Sequence, residues 1–475
     1  MGAELNLEAI PLTALVFWLI YITGTGAALL YPLTGVLLYI LVYHLHPETQ
    51  WWGHSIRAIG LRTSMTVAVA IVIGILARRP RFGPGGRQFP LPFALSITLV
   101  LLALGSLIWG YGISSRGIYQ AEKIVKVMIF VLILIRCVRQ PRHYHLAIIA
   151  WLAGVFYLGY EAFGQAGGLV RGRLSLGLGG PDFAESSGLA VHLVASLPLI
   201  GAMFFMARHW WSRGMVLIIG ALTVNTIVMT RTRNAVVGIV AMCVVAAFSL
   251  PRKYRAKGWA AIVVGALLAT QLADPTWWKR MASVSAYSQD SAITSRIAYW
   301  RAALEMTRDY PLGIGIGNFH QVVKEYVPGL AYTRSAHNTL LACLAELGIP
   351  GLIVFLAVIG VALHRLTLVR RQANQLDPVL PIDVAQRPMR FHLGWHAMAL
   401  RTALVGYLAC GLFTTRLYTE GFWILVGLAC CLDNVAAGIF AQTDRRDAPD
   451  GLACALPVPP AMDEPDAPPV TGKLQ

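Results

Sequence analysis

Arg334, His337 and Asn338 stand directly before an apolar run in TRSAHNTLLACLAELGIPG. A neutral imidazole can take a proton from an attacking hydroxyl, and a guanidinium fork can grip phosphate oxygens in pairs. The positive end of a helix dipole and the neighbouring Arg334 both disfavour imidazolium, so His337 is expected to be neutral at pH 7. The bland alternative is a histidine that hydrogen-bonds its own loop. Ser335 or Asn338 could cap the helix that follows. A second candidate is the pair Arg231 and Arg233 in MTRTRNAVVG. Two apolar segments meet there at a junction of about four residues, and ionisable groups at a membrane boundary are costly and commonly functional. Snorkelling to the interface is the alternative; a clamp on a diphosphate is the functional reading, because the guanidinium charge persists at any physiological pH.

Further basic and polar residues extend the set. RGRLSLGLGGPDFAESSGLA places Arg171 and Arg173 before a glycine-rich turn, followed by Asp182, Glu185, Ser186 and Ser187. Glycines allow a backbone to approach a ligand closely, and the acids or serines could cap a helix or hold a sugar hydroxyl, with capping expected of Ser186 and Ser187. SAITSRIAYWRAALEMTRDYP carries Arg296 and Arg301 between apolar residues at helical spacing, among them Ile297, Trp300, Ala303 and Leu304. It reads as an amphipathic helix near a membrane-water interface, with the glycine-punctuated PLGIGIGNF after it.

The elements that must position these groups are membrane helices. Of 475 residues, 56% are hydrophobic and 13% charged, and apolar runs of membrane-spanning length repeat from near the N-terminus to about residue 440. Spans are expected at about 62–77, 92–110, 119–137, 144–164, 187–207, 214–231, 233–250, 257–272, 338–364, 396–415 and 419–440. The apolar stretch from about 10 to 45 is either one broken span or a tight hairpin; counted as one crossing it brings the total to about twelve. MGAELNLEAI lacks the basic region of a cleavable signal, so the first span is expected to be retained.

Basic clusters at 78–87, 136–142, 208–213, 252–257 and 365–390 mark the cytoplasmic side. This assignment puts both termini inside, makes 1–440 one transmembrane domain with a long outer loop at about 273–337, and leaves 441–475 as a cytoplasmic tail expected to be disordered. Arg171, Arg173, Arg231, Arg233, Arg280, Arg296, Arg301 and Arg334 then fall outside, where short loops should be poor in arginine. The net charge of +16 is explained by topology rather than nucleic-acid binding. There is no phosphate-binding GxxxxGK[ST] run, no carboxylate cluster suited to magnesium, no metal-ligand spacing and no disulfide framework. The pairs His44/His46, His143/His145 and His392/His396 read as interfacial histidines; the last has a metal-like i, i+4 spacing but no adjacent carboxylate.

His337 and Asn338, followed after nine residues by Gly348 and then by Gly351, resemble the signature of the bacterial O-antigen ligases, which attach O-antigen polysaccharide to the lipid A core. MTRTRNAVVG and RIAYWRAALEMTRDYPLGIGIGNF are similar to two further segments of that family, in the same order and on the same side. The resemblance extends over about residues 180–430; Asn234 departs from it, since relatives often carry glycine after the arginine. It implies an all-α polytopic enzyme of the glycosyltransferase-C type in the bacterial inner membrane, inverting and metal-independent, with its site facing the periplasm. The implied donor is O-antigen linked to undecaprenyl diphosphate, the acceptor a sugar hydroxyl of lipid A core, and no cofactor is called for. His337 would be the general base. Arg231 and Arg233, helped by Arg296 or Arg301, would hold the diphosphate, and Arg171, Arg173 and Asn338 would contact substrate, with Arg334 open between touching substrate and tuning His337. The O-antigen polymerases share the donor and the domain, and a non-catalytic transporter of a lipid-linked anion is the alternative from another class.

Overall fold

A computed structural model describes residues 11–78, 89–164, 174, 178–250, 252–272, 275, 278, 291–329, 333–376 and 392–447. The described residues are helical throughout their regular structure, and seven helices are long and apolar enough to cross a membrane. In chain order the helices are α1 (Leu12–Leu30), α2 (Pro32–Leu45), α3 (His54–Ala58), α4 (Thr63–Arg78), α5 (Leu91–Trp109), α6 (Ser115–Cys137), α7 (Pro141–Gly164), α8 (Gly180–Phe183) and α9 (Ser186–Met206). They continue as α10 (Trp210–Thr230), α11 (Arg233–Ser249), α12 (Arg252–Leu272), α13 (Ser291–Asp309), α14 (Phe319–Tyr326), α15 (Thr339–Leu376), α16 (Leu393–Gly411) and α17 (Glu420–Asp447). Lipid-like exteriors and buried interiors follow from composition: α1 exposes Leu12, Leu19 and Ile22, whereas α9 and α17 are buried along most of their length. Helices are the economical solution in lipid because they satisfy every backbone group internally.

The N-terminal stretch is a hairpin. Tyr31 is the single non-helical residue between α1 and α2, Pro32 opens α2, and Gly24 lies against Leu38 while Gly35 lies against Ala28. That pairing makes the two helices antiparallel. The parity argument that put both termini on one side assumed a single crossing here, so it loses its premise. At the other end α17 stays helical to Asp447, past the boundary expected near 440; residues 448–475 lie outside the described residues.

The connections that carry the candidate residues are gathered at one end of the bundle. Six contacts stitch that end together. His46 packs on Gly180, Tyr111 N donates to Ile314 O at 2.8 Å and Leu174 N to Met229 O at 3.2 Å. Ser114 Oγ bonds Asn318 Oδ1 at 2.6 Å, Thr339 Oγ1 donates to Thr414 O at 2.8 Å, and Arg416 reaches Glu185 at 3.0 Å. The predicted cytoplasmic arginines cluster at the opposite end, where Arg370 and Arg401 bond Ser249 and Arg365 pairs with Asp433 at 2.9 Å.

A small second core covers the His337 end. Tyr299, Ala302, Ala303 and Met306 of α13 pack with Phe319, Val322 and Val323 of α14 and with Ala336, Ala342 and Ala345. The amphipathic helix expected at 291–309 is therefore present, but its buried face is turned from the expected one: Leu304 is exposed, and Trp300 is only partly buried. The interfacial reading of the histidine pairs also changes. His44 and His396 are buried, His44 bonding His192 ring to ring at 3.0 Å and His396 lying against Tyr144 and His145.

Candidate functional site

His337 is placed by a break in the helix that follows it. α15 is two helical limbs joined at Gly348, whose φ of 69° and ψ of −170° are outside the helical range. A Cβ there would sit 2.4 Å from Pro311 O and Leu312 C, so only glycine fits. The segment 310–318 wraps the break and satisfies groups on both sides of it: Ile314 N donates to Ala345 O at 2.9 Å and Gly315 N to Glu346 O at 3.0 Å, while Pro311 O accepts from Ile349 N of the second limb at 3.0 Å. That segment is itself tied to the α5–α6 junction. Trp109 Nε1 donates to Leu312 O at 3.1 Å, Ile316 N to Ser106 Oγ at 3.0 Å, and Asn318 Nδ2 to Gly112 O at 2.7 Å. The apolar run after His337 is thus a short bracket followed by a spanning limb, rather than one straight helix.

The front of the bracket fixes the imidazole. Asn338 Oδ1 accepts from Leu340 N at 2.9 Å and Leu341 N at 3.1 Å, so Asn338 is the cap and Ser335 is not. The Ala336 carbonyl accepts Trp300 Nε1 from α13 at 3.0 Å. Between these anchors His337 has a left-handed backbone with φ of 49°. The described residues contain three non-glycine residues with φ of this sign, His46, Arg231 and His337, and two of them are candidate site residues. Such a conformation costs on the order of 1 kcal/mol and persists where the surroundings over-determine it.

The electrostatics of His337 favour a neutral ring. Its pKa is pushed down to about 4, by burial first and then by the guanidiniums of Arg296, Arg334 and Arg416, with the Glu185 carboxylate opposing them. Three guanidiniums and one carboxylate thus act on a ring that can accept a proton. Arg416 is the best-buried of the three at 9% exposure. Its guanidinium donates to Glu185 Oε2 at 3.0 Å and Ser187 Oγ at 2.9 Å, while its Nε is buried with no hydrogen-bond partner. Ser187 is therefore engaged with Arg416 and Glu185, and no side chain caps α9; the capping expected of Ser186 and Ser187 gives way to this ionic cluster.

Three residues before Glu185 in the chain, Asp182 centres a second polar cluster. Asp182 accepts from Lys123 Nζ at 2.5 Å, Tyr43 OH at 3.1 Å and the backbone of Glu420 at 2.8 Å. Asp182, Tyr43 and Glu420, with His46 and Ser64, line a cavity of about 40 Å³, room enough for water. The glycine-rich turn noted in the sequence thus delivers Asp182 to a scaffold that ties α2, α6, α8 and α17 together.

Of the residues expected at the site, Arg296 and Arg334 meet His337. Arg301 is exposed further along α13. Arg231 and Arg233 bracket a junction of two residues, shorter than the four expected, with Arg231 left-handed at the end of α10 and Arg233 opening α11. They share the His337 end, because Gly238 of α11 packs on Gly406 and Cys410 at the end of α16, which leads directly to Arg416. Asn234 is buried in ordinary helical backbone, so its departure from the family pattern changes no left-handed position. Arg171 and Arg173 lie outside the described residues. Sequence reasoning missed Arg416, although FTTRLYTEG is another arginine in a short connection on the wrong side. It also missed Lys123, which no spacing marked. Among the described residues no three His, Cys, Asp or Glu side chains converge as a metal site would require.

Residues 216–356 match the family model described as O-antigen ligase. No curated protein matches the chain. The matched stretch contains MTRTRNAVVG, α13, the 310–318 wrap, His337 and the Gly348 break, and it stops short of Glu185 on one side and Arg416 on the other. Over that stretch the chain is similar to O-antigen ligases, and its helices make it a polytopic membrane protein.

Proposed function

We propose that the chain is an O-antigen ligase which transfers a polysaccharide from undecaprenyl diphosphate to a sugar hydroxyl of lipid A core. The observation that carries this reading is a neutral His337 set among Arg296, Arg334 and Arg416. In the proposed step an acceptor hydroxyl attacks the anomeric carbon from the face opposite the diphosphate, which inverts that carbon. The O–H proton passes to an imidazole nitrogen of His337, the new glycosidic C–O bond forms, and the bond from the anomeric carbon to the phosphate oxygen breaks. The electron pair leaves on that oxygen. Guanidiniums meet the developing charge on the diphosphate, the task that a divalent ion performs in other transferases. Arg231 and Arg233, at the same end of the bundle, extend the clamp along the lipid diphosphate.

The arginines also tune the base. A group with a pKa near 4 is a weak base at neutral pH. A bound diphosphate would place negative charge beside Arg296, Arg334 and Arg416 and offset their effect, which raises the basicity of His337 while the larger effect of burial remains.

The test combines purified protein with undecaprenyl-diphosphate-linked glycan and lipid A core in EDTA. Glycosylated lipid A core is the expected product. Elongation of the lipid-linked glycan in its place would make the chain a polymerase, and transport without transfer would make it a carrier of lipid-linked anions.

A further inference from the structure

Thr339 stands two residues after His337, and neither the proposed step nor the family signature uses it. It opens the first limb of α15 and is buried. Its hydroxyl crosses to the connection between α16 and α17: Oγ1 donates to Thr414 O at 2.8 Å and accepts from Arg416 N at 3.0 Å. A hydroxyl can do both, because it has one proton to give and lone pairs that receive another. One oxygen atom thus ties the backbone of Arg416 to a residue two places from the base.

The rest of the connection holds Arg416 from its other sides. Arg416 O accepts from Thr419 Oγ1 at 2.6 Å, and the guanidinium donates to Glu185 Oε2 at 3.0 Å and Ser187 Oγ at 2.9 Å. Seven residues along α15 from Thr339, and so on the same face, Glu346 Oε2 accepts from Tyr418 OH at 2.8 Å. The bracket that follows His337 and the connection that carries Arg416 are therefore latched at two points, and Thr339 is the point that bonds Arg416 itself. Gly411, at the end of α16, backs the latch: a Cβ there would sit 3.0 Å from Thr339 Oγ1.

We propose that Thr339 is a positioning residue for transfer: its hydroxyl sets the α16–α17 connection against the start of α15 and so holds the Arg416 guanidinium where its charge acts on His337 and on the donor diphosphate. The inference rests on the glycosyl-transfer reading above. Its effect on the reaction passes through Arg416.

The experiment is a double-mutant cycle on the detergent-purified full chain, with Thr339→Val, Arg416→Met and the two combined. It reads single-turnover transfer from undecaprenyl-diphosphate-linked glycan to lipid A core, per folded protein, and the acid limb of kcat/KM. Valine keeps the shape of threonine and loses both hydrogen bonds. Thr339→Val is expected to slow transfer about tenfold, the scale of a displaced catalytic group. It should also move the acid limb to higher pH, because Arg416 is one of the charges that lower the His337 pKa. The combined variant should transfer within about twofold of Arg416→Met alone, and Thr339→Ser, which keeps the hydroxyl, should stay near wild type. Where Thr339→Val does not fold, Gly411→Ala takes its place: the added methyl presses on the hydroxyl without stranding a polar group, and it should slow transfer in the wild-type background but not in Arg416→Met. Wild-type transfer by the substituted chain, losses that multiply in the combined variant, or slower transfer with an unmoved acid limb would overturn the proposal. The ligase reading fails separately, if the wild-type chain elongates lipid-linked glycan in place of lipid A core; the same cycle is then read on that product. A wild-type chain that transfers to neither acceptor overturns both.

Discussion

Two polar clusters lie within a few residues of each other at the same end of this bundle, and they differ in how they are built. Around Asp182, Lys123, Tyr43 and the Glu420 backbone take up both carboxylate oxygens, while the buried Glu420 side chain beside them keeps Oε1 without a hydrogen-bond partner. Around His337 three guanidiniums face one carboxylate, and that carboxylate, Glu185, is 73% exposed. The first cluster ties α2, α6, α8 and α17 together and works as scaffold. The second gathers three guanidiniums about an imidazole, an arrangement suited to the anionic donor proposed above.

Breaking the closed cluster should cost stability. Asp182→Leu strands Lys123 without its partner, and removal of one member of a buried pair typically costs about 3–5 kcal/mol. A large fall in the thermal unfolding midpoint is expected in detergent, with the folded fraction still binding undecaprenyl diphosphate. A variant that keeps its midpoint but loses donor binding would show that the two clusters are not separate.

Breaking the open cluster should cost rate. Arg416→Met removes one of the charges that act on His337 and leaves Glu185 free to be hydrated. Transfer is expected to slow about a hundredfold, the scale of one lost charge-stabilising donor, with a midpoint near that of the wild type. The same change relieves one of the effects that lower the His337 pKa, so the base should titrate at higher pH.

The pH profile sharpens the point. For free enzyme, kcat/KM should fall as pH drops through about 4, because below that value His337 is protonated. In the donor complex the diphosphate offsets the arginines, so the acid limb of kcat should lie at higher pH than that of kcat/KM. Coincident limbs would mean that the arginines near His337 do not hold the donor. The smallest effect is expected from Arg301→Ala. Its side chain is exposed on α13, and transfer should stay within about twofold of wild type, as for other surface charges.

The sequence made the helices legible because span length and arginine sidedness are properties of composition. α13, the Asn338 cap and the junction at Arg231 and Arg233 were all visible as patterns. The hairpin at residues 12–45 was not, since one residue, Tyr31, decides between a kink and a reversal. Nor were the left-handed backbones of Arg231 and His337, which their surroundings impose. The meaning of Gly348 came only from its neighbour: the signature spacing marked the position, but the reason it must be glycine is the 310–318 wrap, some thirty residues earlier in the chain. Arg416 and Lys123 were missed because their partners, Glu185 and Asp182, are distant in sequence. Folding brings such scattered residues to one end of the bundle.

The central claim is that His337 does chemistry while the arginines hold the donor. The measurement that separates these roles pairs donor affinity with single-turnover transfer for His337→Ala. Undecaprenyl-diphosphate-linked glycan should bind within about threefold of wild type, while the transfer rate falls by about two to four orders of magnitude, the range for loss of a general base. Transfer at the wild-type rate, or loss of donor binding in step with transfer, would contradict it.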